Sequence, residues 1–136
     1  MIFYNLWWDD MLATDDWYEP NDSLQAPHDF SNDASTNLSS INGLGVQLDD
    51  DWYMIFVDPQ VTRVIVLLDF SHAAGDLDVE LLDSSGNVLS SAVSGDNDEN
   101  INYVVPNGGY YYIKVYGYLD IDTGNSYDLS WDDQTP

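Results

Sequence analysis

Apolar and polar side chains alternate along most of the chain after residue 40, with the period of two that is typical of β-strands. In the segment 76–82, Leu77, Val79 and Leu81 alternate with three acids. Another alternating segment begins at Tyr127. The spacing of three to four residues that marks an amphipathic helix is absent from this region. The pattern therefore predicts an all-β protein.

Turn-forming residues divide this pattern into short segments, because glycine, proline, asparagine and aspartate are concentrated between the apolar runs. We predict eight strands, at residues 43–48, 52–58, 62–70, 76–83, 86–93, 99–105, 109–118 and 126–131. Residues 20–42 are rich in serine, asparagine, aspartate and proline, and we interpret them as a mostly irregular connection. Short strands at this spacing predict a sandwich or a barrel.

One predicted strand is apolar on both faces. The segment 64–68 reads Val-Ile-Val-Leu-Leu and shows no polar alternation. A strand in the middle of a sheet, with protein packed over both faces, has this pattern. We therefore expect this strand to be central and covered on both sides.

The segment 109–117 carries a row of tyrosines. Alternation places Tyr111, Ile113 and Val115 on the core side. The opposite face then holds four side chains: Tyr110, Tyr112, Lys114 and Tyr116. Tyrosine combines flat apolar area with a polar tip, so this face is a candidate for binding sugar rings or an extended polypeptide. The alternative is that cross-strand aromatic pairs on this face only stabilise the sheet.

The charge balance is strongly acidic. The chain has 25 Asp and Glu residues against 2 Lys and Arg residues, which gives a formal charge of -23. This balance argues against binding nucleic acid through its phosphates, which needs basic side chains, and against docking on anionic lipid. The 5 Trp, 10 Tyr and 4 Phe residues argue against disorder, because acidic disordered chains have few aromatic residues. Bound divalent metal or high external salt would offset the self-repulsion.

The sequence gives limited information on cellular location. There is no cysteine, which excludes disulfides and thiolate metal sites, and no stretch is long enough to span a membrane. The first residues lack the basic region of a signal peptide and run into Asp9 and Asp10. We therefore expect either a cytoplasmic chain or one that begins at a mature or trimmed end.

Two short segments are rich in oxygen ligands. In the first, Glu19, Asn21 and Asp22 lie around Pro20, which stiffens the backbone. The second is the run of three aspartates at 49–51, directly before a predicted strand. Calcium binds six to eight oxygens, and adjacent carboxylates repel one another unless a cation or water separates them. In a chain so poor in basic residues, the two segments together favour a calcium site.

Four motifs follow one another along the chain: Asp16-Trp-Tyr-Glu-Pro-Asn-Asp-Ser23, Asp49-Asp-Asp-Trp-Tyr-Met-Ile-Phe-Val57, Gly75-Asp-Leu-Asp-Val-Glu-Leu81 and Gly108-Gly-Tyr-Tyr-Tyr-Ile-Lys-Val-Tyr-Gly117. In their order, and nearly in their spacing, they resemble the bacterial pre-peptidase C-terminal domain. The resemblance runs from about Asp15 to Trp131 and implies a jelly-roll-like antiparallel β-sandwich of about eight strands. It also implies an accessory module of secreted hydrolases, usually without catalysis of its own.

The resemblance extends to the collagen-binding domains of secreted bacterial collagenases, which hold calcium between an N-terminal acidic segment and the body of the sandwich. By this resemblance the candidate calcium ligands are Glu19, Asn21 and Asp22 in the segment, and Asp49 and Asp51 in the body, with Asp50 as the alternate. Asp76 and Asp78 match the Gly-Asp-Leu-Asp signature of the family. We interpret these two first as side chains that hold a turn, with a second metal as the alternative.

The sequence offers little support for catalysis. It contains no Gly-x-Ser-x-Gly, no His-Glu-x-x-His and no phosphate-binding glycine loop. His28 and His72 lie in loop-like segments without a partner motif. A pair of carboxylates serves glycosidases, but so many aspartates produce such pairs by chance. We therefore expect no enzymatic activity.

Residues 1–14 form an aromatic extension outside the resemblance, and residues 15–136 form the sandwich domain. The strand-prone residues of the extension are Ile2, Phe3, Tyr4, Leu6, Trp7 and Trp8. They form either an extra strand of their own sandwich or a donor strand that complements the sheet of a neighbouring subunit. Because such donation is head-to-tail, the second arrangement gives an open filament when the rotation does not close.

These observations lead to two hypotheses for function. The first is a non-catalytic, calcium-stabilised extracellular module for adhesion, or for binding a polymer such as a collagen-like protein or a polysaccharide. The alternative is a subunit of a self-assembling extracellular fibre, in which the strand at 2–8 joins copies of the chain. Both hypotheses describe a secreted protein.

Overall fold

The computed structural model describes residues 16–60, 63–93, 97–121 and 123–134. Nine strands lie within these ranges: β1 His28–Asp29, β2 Gly45–Gln47, β3 Asp51–Val57, β4 Arg63–Phe70, β5 Leu77–Leu82, β6 Val88–Ala92, β7 Asp98–Val104, β8 Gly109–Gly117 and β9 Asn125–Gln134. Three short 3-10 helices accompany them, at Leu38–Ser40, His72–Ala74 and Tyr118–Asp120. The extension at 1–14, with its predicted donor strand, lies outside the described residues. No helix in the described ranges is long and apolar enough to cross a membrane.

The strands form two sheets. A five-stranded sheet has the order β1-β3-β8-β5-β6, and a four-stranded sheet has the order β2-β9-β4-β7. Every strand pair is antiparallel except β1 with β3, which is parallel. The predicted all-β sandwich is therefore confirmed. The eight predicted strands correspond to β2–β9, with boundaries that differ by a few residues at most.

The core lies between the two sheets and is built from alternating positions, as the sequence predicts. In β5, the predicted inward residues Leu77, Val79 and Leu81 are fully buried. In β9, Tyr127 and Trp131 are buried in the same way, with Leu129 between them. Burying a large apolar side chain contributes about 1.5–3 kcal/mol, so these inward rows hold the two sheets together.

The prediction for the segment 64–68 is half right. Its strand, β4, is central, because it pairs with β7 on one side and β9 on the other. However, only its inner face is covered: Val66 is fully buried, whereas Leu67 is 51% exposed. In a two-layer sandwich each sheet has one outer face, so a strand in the middle of a sheet still presents half of its side chains outward.

The sequence pattern missed β1 and its surroundings. The two residues of β1 pair in parallel with Tyr53 and Met54 of β3. The connection around β1 also supplies core: Phe30 is fully buried, and its carbonyl accepts a hydrogen bond of 2.8 Å from Trp131 Nε1. Tyr18 is buried as well, with its hydroxyl 2.9 Å from the carbonyl oxygen of Leu38. Residues 16–42 therefore pack onto the sandwich as part of the domain.

Candidate cation site between the N-terminal segment and the sandwich

Four carboxylates converge where the N-terminal segment meets β3. Glu19, Asp22, Asp49 and Asp51 each offer one oxygen, and these four oxygens all lie within 4.8 Å of one another. Asp51 is fully buried, Glu19 and Asp49 are half-buried, and Asp22 is exposed. The cluster is therefore buried on the side of Asp51 and open to solvent on the side of Asp22. We call these four residues the first acidic cluster.

Backbone hydrogen bonds bring the two halves of the first acidic cluster together. The amide N–H of Trp52 donates to the carbonyl oxygen of Asn21 at 2.7 Å, which fixes the segment against the start of β3. The N–H of Val46 in β2 donates to Asp16 Oδ2 at 2.6 Å. Burial raises the pKa of Asp16, and the N–H donors of Val46 and Tyr18 act in the opposite direction. The segment is thus held at both of its ends.

Asn21 places an amide inside the first acidic cluster, and its side chain is fully buried. With the amide nitrogen turned to the cluster, that atom lies 3.1 Å from Glu19 Oε1 and 3.2 Å from Asp51 Oδ1 and donates to both. With the oxygen turned to the cluster, the amide adds a fifth oxygen to four carboxylates. That second orientation is favourable only when a cation lies among the oxygens.

Two buried tyrosines support Asp51 from the core. The hydroxyl of Tyr127 donates to Asp51 Oδ2 at 2.6 Å. The hydroxyl of Tyr53 lies 2.5 Å from that of Tyr127 and must donate to it, because the single proton of Tyr127 is used on Asp51. Burial raises the pKa of both tyrosines well above the ordinary value, so both stay protonated. One oxygen of Asp51 is therefore fixed from the inside.

Asp50 points to a different neighbour. Its Oδ2 lies 3.5 Å from Lys114 Nζ on β8. The ammonium group of Lys114 also lies over the rings of Trp52, at 5.4 Å, and Tyr116, at 5.2 Å. The other basic residue of the chain, Arg63, donates to Asn102 in the four-stranded sheet. The structure thus brings Asp49 and Asp51 to the first acidic cluster and places Asp50 on the aromatic face of β8.

The structure places Asp76 and Asp78 in a second acidic cluster, which also contains Glu99. Sequence analysis did not single out Glu99, because it is one acid in an alternating strand. Its partners come from β5 and from the turn before it, in the other sheet. Nothing in a local pattern indicates that residues on strands of different sheets converge.

The row of tyrosines lies on the outer face of the five-stranded sheet, as alternation predicts. Tyr110 is 50% exposed, and Tyr112 and Tyr116 are half-buried. Sequence analysis missed the β3 side of this face, where Phe56 stands opposite Tyr110 with its ring centroid 5.1 Å away in an edge-to-face contact. Trp52 stands opposite Lys114 in the same register. The alternation of apolar positions in β3 could have shown that Trp52 and Phe56 lie on this outer face.

A cleft continues the aromatic face at one end. It encloses about 340 Å³ and is lined by the turn at 83–85, by residues 106–109, and by Tyr110 and Tyr111. Tyr111 is held there by its hydroxyl, which donates to the carbonyl oxygen of Asn107 at 2.6 Å. The cleft shares Tyr110 with the aromatic face and so adjoins it at this end of the five-stranded sheet.

The sequence profile of the bacterial pre-peptidase C-terminal domain matches residues 28–117. Among solved structures, the pre-peptidase C-terminal domain of a collagenase from Bacillus anthracis is similar over 73% of this chain and 90% of that one, with 20% identity and a TM-score of 0.56. A periplasmic inhibitor of g-type lysozyme from Aeromonas hydrophila, PliG, covers 68% of this chain and 82% of its own, with 14% identity and a TM-score of 0.47. No curated protein matches the sequence.

Proposed function

Because the chain belongs to the bacterial pre-peptidase C-terminal domain family, we propose that it is a non-catalytic, calcium-stabilised binding module that works outside the cell. The observation that carries this proposal is the convergence of four carboxylate oxygens within 4.8 Å, from two separate segments of the chain. The segment half of this cluster, Glu19 and Asp22, precedes the matched range 28–117. The position of these two residues beside Asp49 and Asp51 is therefore support from the fold that the matched range does not contain.

Calcium fits the donor set of the first acidic cluster. It takes six to eight oxygen ligands in flexible geometry, whereas magnesium demands a near-ideal octahedron and retains most of its waters. The protein would supply carboxylates from Glu19, Asp22, Asp49 and Asp51, and the amide oxygen of Asn21, with water on the open side. Asp50 is left out of this set, because its carboxylate faces Lys114. Bound calcium supplies the positive charge that these oxygens need to stay close together.

Thermal melts with calcium, with excess chelator, and with chelator plus molar potassium chloride test this proposal. A ligand that binds only the folded state adds about 2.7 kcal/mol at a hundred times its dissociation constant. For a domain of this size, that raises the midpoint by several degrees. We expect calcium alone to restore the midpoint that chelator lowers. Restoration by molar salt alone would mean that the acids form a diffuse, salt-dependent surface.

The binding surface in this proposal is the aromatic face of the five-stranded sheet with its adjoining cleft. Exposed tyrosine rings bind sugar rings and extended polypeptides by stacking, with the hydroxyl groups free to form hydrogen bonds. Phe56 and Tyr110 lie opposite each other on β3 and β8, and Tyr112 lies two residues further along β8, so the aromatic rings form a row along the strands. A row of this kind suits an extended polymer, such as a collagen-like protein or a polysaccharide, more than a compact ligand.

Co-sedimentation of the chain with insoluble polymers tests this surface. For any polymer that binds the unmodified chain, we expect a smaller fraction of the variants Tyr110→Ala and Tyr112→Ala to sediment with it. Leu67→Ala is the matched control, because Leu67 is 51% exposed on the outer face of the other sheet and Tyr110 is 50% exposed. Equal loss in all three variants, or no retention on any polymer, would refute the polymer-binding role and leave the calcium site unaffected.

The alternative is a self-assembling subunit, and the edge of β3 favours it. Within the described residues, β1 pairs with β3 only at Tyr53 and Met54. Asn21 and Phe30 also bond this edge, at Trp52 and Met54, so within the described residues the stretch 55–57 is what remains for a strand from another copy. Deleting residues 1–8 tests this idea, because filaments seen by electron microscopy with the full chain should disappear. Filaments that persist after the deletion would exclude donation of that strand.

A further inference from the structure

The second acidic cluster joins the two sheets. Asp78 lies in β5 and Asp76 directly before it, both in the five-stranded layer, whereas Glu99 lies in β7 of the four-stranded sheet. One oxygen from each of the three carboxylates lies within 4.8 Å of the others. At this distance the negative charges of the three carboxylates repel one another, unless a cation or a proton lies between them.

Asp78 is the key residue of this cluster, because it is only 1% exposed and its buried Oδ1 has no hydrogen-bond partner among the described residues. A buried carboxylate oxygen without a donor costs several kcal/mol when it is charged, so a bound cation or a proton stabilises it. Burial raises the pKa of Asp78 to about 7, and the charges of Asp76 and Glu99 add to this effect.

The turn that carries Asp76 is rigidly built. Asn125 Nδ2 donates to the carbonyl oxygens of Ser71, at 2.8 Å, and Gly75, at 2.9 Å. Gly75 has a φ of +144°, and a Cβ there would lie 2.6 Å from Thr123 Cβ, so only glycine fits. This precise turn places Asp76 beside Asp78.

We propose that Asp76, Asp78 and Glu99 bind a second calcium ion, separate from the one at the first acidic cluster and linking the two sheets. The three carboxylates supply hard oxygen ligands, and water completes the coordination. Asp76, whose side chain is 24% exposed, gives the site access to solvent. His72 Nε2 lies 3.5 Å from Asp76 Oδ1 and orients that carboxylate from outside the site.

The test is the number of calcium ions bound per chain, measured by equilibrium dialysis of the full chain at about pH 8, since metal ligands bind in their deprotonated form. We expect two ions for the unmodified chain. Glu99→Gln should retain one ion, Asp49→Asn should retain one, and the double variant none. Glu80→Gln is the control, since it removes an acid from the same strand as Asp78 but from outside the cluster.

The outcomes separate the two sites. If Glu99→Gln still binds as many ions as the unmodified chain, the second site is refuted. If the unmodified chain binds one ion that Glu99→Gln loses and Asp49→Asn keeps, the second site holds and the first fails. Should Glu99→Gln fail to fold by circular dichroism, Asp76→Asn provides the same test at a half-buried position, with at least a tenfold weaker second binding step expected.

Discussion

Tyr127 donates a hydrogen bond of 2.6 Å to Asp51 Oδ2, and so connects the centre of the hydrophobic core to the first acidic cluster. Both residues are buried, and Tyr53 extends the connection by donating to Tyr127. The orientation of Asp51 is therefore set by the core packing of both sheets. A cation site with a ligand held in this way needs little rearrangement to bind its ion.

Replacing Tyr127 with phenylalanine should weaken both stability and calcium affinity. Asp51 Oδ2 loses its donor and Tyr53 loses its acceptor, so we expect the free energy of unfolding to fall by about 1–3 kcal/mol. Calcium affinity should fall about 10–100-fold, as it does when an outer partner of a metal ligand is removed. Isothermal titration and chemical denaturation measure the two effects.

The matched control is Tyr53→Phe, which leaves the bond between Tyr127 and Asp51 in place. It should lower stability by about 1 kcal/mol and leave calcium affinity nearly unchanged. An equal loss of affinity in both variants would show that general loosening of the core, and not the orientation of Asp51, controls the site.

Asp49 and Asp50 are adjacent in the chain and should differ in their effect on calcium binding. Asp49→Asn replaces a charged carboxylate of the first acidic cluster with a neutral amide, so the gain in melting temperature on adding calcium should largely disappear. Asp50→Asn removes only a partly exposed pair with Lys114, worth about 0–1 kcal/mol, and should retain the gain. If Asp50→Asn loses the gain and Asp49→Asn keeps it, Asp50 and not Asp49 is the calcium ligand.

Asn21→Asp should make the protein more dependent on calcium. In chelator, a further buried negative charge beside Glu19 and Asp51 should lower the melting temperature strongly. With saturating calcium the added carboxylate becomes a ligand, so most of the loss should be recovered. If the variant is equally destabilised with and without calcium, the Asn21 amide instead donates hydrogen bonds through its nitrogen.

With chelator present, the raised pKa of Asp78 should make the stability of the protein depend on pH. The pKa of Asp78 in the folded protein is raised to about 7 by burial and by the charges of Asp76, Glu99 and Glu80, whereas His72 lowers it. The folded state then holds a proton that the unfolded chain releases above pH ~4, so stability falls as the pH rises from about 4 to about 7 and levels off beyond that.

Comparison with Asp78→Asn isolates this contribution. The variant should lack that fall, so its melting temperature relative to the unmodified chain should increase between about pH 5 and about pH 8 in chelator. A difference that stays constant over this range would show that Asp78 keeps an ordinary pKa.

Most of the sandwich could be predicted from the sequence, because β2–β9 are bounded by turn residues and most of these strands show alternating burial. The same alternation explains why Asp49 and Asp51 share a side while Asp50 faces Lys114, so it could also have separated these residues. The two residues of β1 could not be found in this way. Phe30 and Leu38 are buried by contacts with distant residues, and their spacing carries no periodic signal.

The candidate sites were less predictable than the strands. The resemblance drew attention to Glu19 and Asp49, but the sequence alone gives no distance between them. Glu99 joins its cluster only because β5 and β7 lie across the sandwich from one another. Likewise, the role of Tyr127 depends on a hydrogen bond across the core to a residue far away in the chain.

The positions of the two basic residues also affect resistance to proteolysis. Proteases that cleave after arginine or lysine have only Arg63 and Lys114 as cleavage positions in this chain. Arg63 begins β4 and Lys114 lies within β8, and both strands have a neighbour on either side. A protease must pull its substrate out as a free extended strand, so cleavage at either position requires the sheet to open. Trypsin-like enzymes in the surroundings would therefore cut this domain only as fast as it unfolds.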